Sequence, residues 1–145
     1  MKKTAYHAML LGATLVNATA FGLTAASAEV VKLKGELKGS NEVPPNASSG
    51  SGKAEASYDT GSKVLTYTIT YSGLTGPATA AHFHGPSEAG KNAGIALPFK
   101  SAQSPIEGTA TLNDAQAADL LGGKWYANIH TAANPGGELR GQVAK

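Results

Sequence analysis

The chain is 145 residues long, with 12 Lys and Arg against 10 Asp and Glu, four His and no Cys. With no cysteine, thiol catalysis, thiolate metal sites and disulfide support are excluded. The basic residues stand singly along the chain, which excludes the concentrated basic patch that nucleic-acid binding requires.

Lys2 and Lys3 precede an apolar, small-residue stretch from Met9 to Ala26, and Ala26-Ser27-Ala28 has the small-x-small form of an export cleavage site. Asn17 and scattered Thr and Gly make this stretch a poor membrane span. No later segment nears the ~18 consecutive apolar residues that a span needs. The expectation is a signal peptide over residues 1–28 and a secreted or periplasmic domain over residues 29–145, with no membrane span in the mature chain. Removing residues 1–28 takes away two lysines and no acid, so the mature chain carries ten bases, ten acids and a net charge of zero. Its length suits one domain with one core.

The mature part is rich in Gly, Ala, Thr and Ser and runs in short alternating stretches, which predicts an all-β domain with many turns. Val30 to Leu37 alternates apolar and charged residues. Ser40 to Gly52 is a Pro/Ser/Asn/Gly loop, and Lys53 to Tyr58 alternates again. The clearest strand is Val64 to Tyr71. Leu65, Tyr67, Ile69 and Tyr71 take one face, and Thr66, Thr68 and Thr70 the other. Asp59-Thr60-Gly61-Ser62 before it reads as a hairpin turn. Extended structure resumes from Ala78 to His84, followed by a loop over Ser87–Gly94 and short strands over Ile95–Phe99 and Glu107–Leu112. Asn113 is a good N-cap with Gln116 in capping-box position, so Ala115 to Leu121 is a short connecting helix stopped by Gly122-Gly123. Lys124–Thr131 and Gly137–Ala144 are the last strands, joined by a five-residue loop. Seven or eight short strands at this spacing predict a Greek-key-like, two-sheet β-sandwich with one short connecting helix.

Three of the four histidines fall in two of these segments. His82 and His84 flank Phe83, and His130 lies in Ile129-His130-Thr131; His7 belongs to the export signal. Residues i and i+2 of a strand share a face. With Phe83 in the core, His82 and His84 project outward. With Trp125, Ala127 and Ile129 inward, Tyr126, Asn128 and His130 project outward, as do Glu138, Arg140 and Gln142 opposite Leu139 and Val143. Closing the last loop as a hairpin pairs His130 with Glu138 and Asn128 with Arg140.

Histidine is the commonest side-chain metal ligand, and three imidazoles with one open position suit zinc or copper. On this reading His82, His84 and His130 are the ligands. Glu138 accepts the other ring N–H of His130, while Glu42, Arg140 and Asn128 border the site. Glu138 and Arg140, two apart on one face, would form a partly exposed ion pair. The plainer reading of the same residues is that the histidines hydrogen-bond nearby loops, and that Glu42-Val43-Pro44-Pro45 only sets an extended path into the next strand. No nucleophile elbow, phosphate loop or paired catalytic carboxylates are present.

Four motifs in order carry a resemblance. They are Leu37-x-Gly39-x-x-Glu42-Val43-Pro44-Pro45, Ala81-His82-Phe83-His84-Gly85, Gly123-x-x-Tyr126-x-Asn128-Ile129-His130-Thr131, and Pro135-Gly136-Gly137-Glu138-Leu139-Arg140-Gly141-Gln142. Over about Val31 to Val143 the chain resembles the CHRD domain, a module of chordin and of exported bacterial proteins. The resemblance implies export, a β-sandwich and a stand-alone domain, and it names no substrate. A weaker similarity, of His82, His84 and His130 to the copper ligands of Cu/Zn superoxide dismutases, rests on fold-level analogy. The further zinc and copper ligands and the disulfide of those enzymes have no counterpart here.

Three functions are thereby expected in order. The first is an exported, non-catalytic binding module with a copper or zinc ion on the outer face. The second is a structural or interaction module of the cell envelope or matrix, with an extracytoplasmic protein partner and no metal. The third is a copper-dependent redox enzyme acting on superoxide or a similar oxidant.

Overall fold

The computed structural model describes residues 27–145; the export signal expected over residues 1–28 thus lies almost wholly outside the described residues. The strands are β1 (Val30–Lys38), β2 (Ser51–Asp59), β3 (Val64–Ser72), β4 (Ala78–His84), β5 (Ile95–Pro98), β6 (Ile106–Thr111), β7 (Trp125–Thr131) and β8 (Leu139–Val143). Among the described residues one α-helix, α1 (Asp114–Leu121), precedes β7. No described helix is long and apolar enough to cross a membrane.

Local sequence accounts for most of these elements. In β3 the expected alternation holds, with Leu65, Tyr67 and Ile69 buried. Asp59 closes the β2–β3 turn by accepting the N–H groups of Gly61 and Ser62, each at 2.8 Å. At α1 the capping box is complete: the Asn113 side chain accepts the Gln116 N–H at 2.9 Å, and the Gln116 side chain accepts the Asn113 N–H at 3.1 Å. Leu120 then anchors the helix in the core.

The expectation of two separate sheets is corrected. All eight strands belong to one curled antiparallel sheet in the order β5-β4-β7-β8-β1-β2-β3-β6. The seam is β1, which pairs with β2 over its whole length and with β8 through Lys38 opposite Arg140. A bridge between Lys34 and Ala144 extends the seam. Close approach of the two backbones here requires Gly35 and Gly141, since a Cβ on either would strike a carbonyl of the facing strand. Curling brings distant strands face to face. Tyr67 of β3 meets Phe83 of β4 edge-on at 5.3 Å, although four strands lie between them in the sheet order. Phe99 wedges beside both rings, at 4.9 Å and 4.8 Å.

The outer face of β7 and β8 is covered as well. Asn128, Arg140 and Tyr126 project away from Trp125 and Ile129, as alternation predicts, yet all three are buried. Two loops lie over them. Asn41 donates to the Arg140 carbonyl at 3.1 Å, Gln142 donates to the Ser87 carbonyl at 2.9 Å, and Asn92 ties the loops together by donating to the Val43 carbonyl at 3.0 Å. The domain therefore has an apolar core inside the curl and a small polar layer outside it.

Candidate metal centre

Strands β4 and β7 are direct neighbours, and their register sets the histidines. His82 pairs with Asn128, His84 with Tyr126, and Ala80 with His130. Ala80 is short, so the His130 ring has room to reach His82. Ring centroids lie 5.4 Å apart for His82 and His84, 5.2 Å for His82 and His130, and 6.0 Å for His84 and His130. One ring nitrogen from each residue lies within 4.8 Å of the others. A bound ion at ~2.0–2.1 Å from three nitrogens holds them roughly 3.3–4.2 Å apart, so small ring rotations close the shell.

The hydrogen bonds select the nitrogens. His84 Nδ1 donates to the Ala93 carbonyl at 3.0 Å, and His130 Nδ1 donates to the Pro135 carbonyl at 3.0 Å. A carbonyl accepts only from N–H, so in the neutral form of both rings Nε2 carries the lone pair. Those two Nε2 atoms and Nδ1 of His82 are buried and have no hydrogen-bond partner. An unpartnered buried polar atom costs about 1–3 kcal/mol. Each ring thus keeps one buried, unpartnered nitrogen, and one nitrogen of each lies within 4.8 Å of the others, a set that fits an ion accepting three lone pairs. Burial, followed by the neighbouring imidazoles, holds the His82 pKa below its ordinary value. Burial also lowers that of His84, against an opposing contribution from its bond to Ala93. Both rings are thus poised in the neutral form that binds metal.

Tyr126 was expected only to point outward, and its part was missed. Its ring stacks on His84 at 5.0 Å with planes 5° apart. Because β7 runs between β4 and β8, Arg140 covers the opposite face, with Cζ 3.5 Å from the ring centroid. The Arg140 guanidinium donates to Asn92 at 2.9 Å and to the Lys91 carbonyl at 2.5 Å. One column of side chains thereby links the loop before β5 to a candidate ligand.

The expected roles of Glu138 and Arg140 need correction. Glu138 does not meet His130. Gly137 has φ +134, the β7–β8 register ends at Ile129 opposite Leu139, and the Glu138 N–H donates to the Ile129 carbonyl. The side chain therefore turns to the side of Thr131. Its carboxylate accepts from Ser48 at 2.7 Å, from the Thr75 N–H at 2.8 Å, and from the Thr75 and Thr131 hydroxyls at 2.6 Å each. Asn134 adds a fifth bond at 3.2 Å. Burial alone would raise its pKa, but the bonds from Thr131, Thr75 and Ser48 outweigh that and bring it to about 2. No ion pair joins Glu138 to Arg140, and both are buried, not partly exposed. Ser48 and Thr75 gave no sequence signal, since each is one hydroxyl among many in loops.

Glu42 sits on the other side of the polar layer. It accepts from Asn128 Nδ2 at 2.5 Å, and Asn128 also donates to the Leu139 carbonyl at 2.9 Å. Burial raises the Glu42 pKa to about 7, although Asn128 and Arg140 both pull it down. Asn128 is the cross-strand neighbour of His82, so Glu42 and Asn128 border the cluster without contributing a ligand to it.

Residues 33–143 match the family model described as CHRD domain. No match was found among curated proteins or among solved structures.

Proposed function

The chain belongs to the CHRD domain family, and within it we propose a binding module that holds one copper or zinc ion on its outer face through His82, His84 and His130. The reading is carried by one observation: three clustered imidazoles each keep a buried, unpartnered ring nitrogen. Imidazole suits both metals, and copper stands higher in the affinity order. The role proposed is binding. The Lys2/Lys3, apolar stretch and Ala26-Ser27-Ala28 pattern supports export, and with it a periplasmic or secreted site of action.

The test is a titration of the purified protein with Cu(II) and with Zn(II), followed by metal analysis after desalting. One retained equivalent is expected, and none after His82→Ala or His130→Ala with the fold intact. A protein that retains no metal would sink the reading.

The second reading, a structural module of the envelope or matrix, has its own support. The Nδ1 atoms of His84 and His130 tie down the loops at Ala93 and Pro135. In that case the alanine variants lose stability and no metal affinity exists to be lost.

A further inference from the structure

The cluster holds three neutral donors and no acid. Among the described residues no carboxylate joins the three histidines. Glu138 is occupied by Ser48, Thr75, Thr131 and Asn134. Glu42 is engaged by Asn128. The outward nitrogens of His84 and His130 donate to carbonyls, not to carboxylates, so neither ring is pushed towards an anionic imidazolate. Arg140 lies behind Tyr126 and donates to an amide and a carbonyl, with no carboxylate in direct contact. A divalent ion bound here would keep both its charges in a half-buried setting, where uncompensated charge is costly. Three protein ligands also leave a tetrahedral ion one position short. The three histidines are only partly buried, so the rim of the cluster meets solvent although these inward nitrogens do not.

Resting on the metal reading above, we infer that this fourth position is a binding site for a small monoanion from solution. Water or hydroxide fills it otherwise, and azide or a small carboxylate competes for it. Exchange is a simple ligand substitution. Azide bonds to the ion through a terminal nitrogen and water leaves; where hydroxide is bound, it takes a proton from solvent and leaves as water. The metal's charge and oxidation state do not change.

The experiment is a titration of the Cu(II)-loaded protein with sodium azide, followed by visible absorption and EPR. An azide-to-copper charge-transfer band saturating at one azide per copper, with a matching EPR change, is the expected result. Copper retained at one equivalent with spectra indifferent to a large molar excess of azide overturns the anion site and leaves the metal reading standing. Failure to retain copper overturns both. A band that appears in Glu42→Gln and is absent from the parent shows that Glu42 closes the position, and also overturns the inference. A band unchanged in His130→Ala places the copper elsewhere and does the same.

Discussion

Tyr126 lies flat against His84, with the two ring planes 5° apart. The stack fixes the plane of one candidate ligand, while the bond from His84 Nδ1 to Ala93 fixes its rotation within that plane. The Tyr126 hydroxyl holds the same loop residue, accepting from the Ala93 N–H at 3.1 Å. Tyr126→Phe keeps the stack and loses this bond. It should cost about 1 kcal/mol in urea unfolding with metal affinity unchanged. Tyr126→Leu removes the stack and the seat of Arg140, and should weaken metal binding by roughly 10-fold or more by calorimetry.

Loss of a ligand should be far more severe than loss of its support. His84→Ala and His130→Ala should each lower Cu(II) or Zn(II) affinity by more than about 100-fold, beyond the range typical of supporting residues. Thermal unfolding of the metal-free variants should stay close to that of the parent. A large drop in stability with no metal effect would favour histidines that only tether loops.

Metal affinity should depend on pH through the rings themselves. His82 and His84 both have pKa values below the ordinary histidine value, chiefly through burial. At these two rings protons therefore compete with the ion only at a pH below that of a free imidazole. Affinity measured by competition should stay flat from pH 8 to about 6.5 and fall below that. A fall that begins well above neutrality would contradict the assignment.

Glu138 should govern acid stability. Its pKa drops from 4.5 to about 2 on folding. The folded state then binds fewer protons than the unfolded state between those values, so stability is fully present above pH 4.5 and is lost as pH falls towards 2. Glu138→Gln keeps the shape, exchanges an acceptor-only group for one with unwanted donors, and should cost about 2–4 kcal/mol at pH 7. The acid limb of a urea midpoint-against-pH curve should flatten in this variant.

Glu42 should act with the opposite sign. Its pKa rises from 4.5 to about 7 because of burial. The folded state binds more protons, so its contribution is fully present below pH 4.5 and fades as pH rises through about 7. Glu42→Gln imitates the protonated side chain and can still accept from Asn128. The variant should lose that slope and match or exceed the parent's stability at pH 8.

Local patterns were readable where one short stretch settles its own hydrogen bonds or its own faces. The Asn113–Gln116 box, the Asp59 turn and the alternation of Leu65, Tyr67 and Ile69 are of this kind. So is the pairing of Asn128 with Arg140, which follows from the length of the β7–β8 connection. Glu138 escaped because Gly137 takes a positive φ that only a glycine tolerates well, and strict alternation does not anticipate that the pairing ends at Leu139. The covering loops escaped because their bonds reach across dozens of residues. Asn92 to Val43 and Glu42 to Asn128 are examples.

By itself, the order of residues determined that His82 and His84 share the face opposite Phe83, since a strand repeats every two residues and the large apolar ring must go inward. It also determined the family, whose motifs run nearly the whole domain. Only the tertiary structure decided that β4 lies against β7, that Ala80 rather than a larger residue faces His130, and that the sheet is one curled layer. Strand neighbours distant in sequence are chosen by how the curl closes over Tyr67, Phe83 and Phe99, a packing problem that no local stretch of the chain contains.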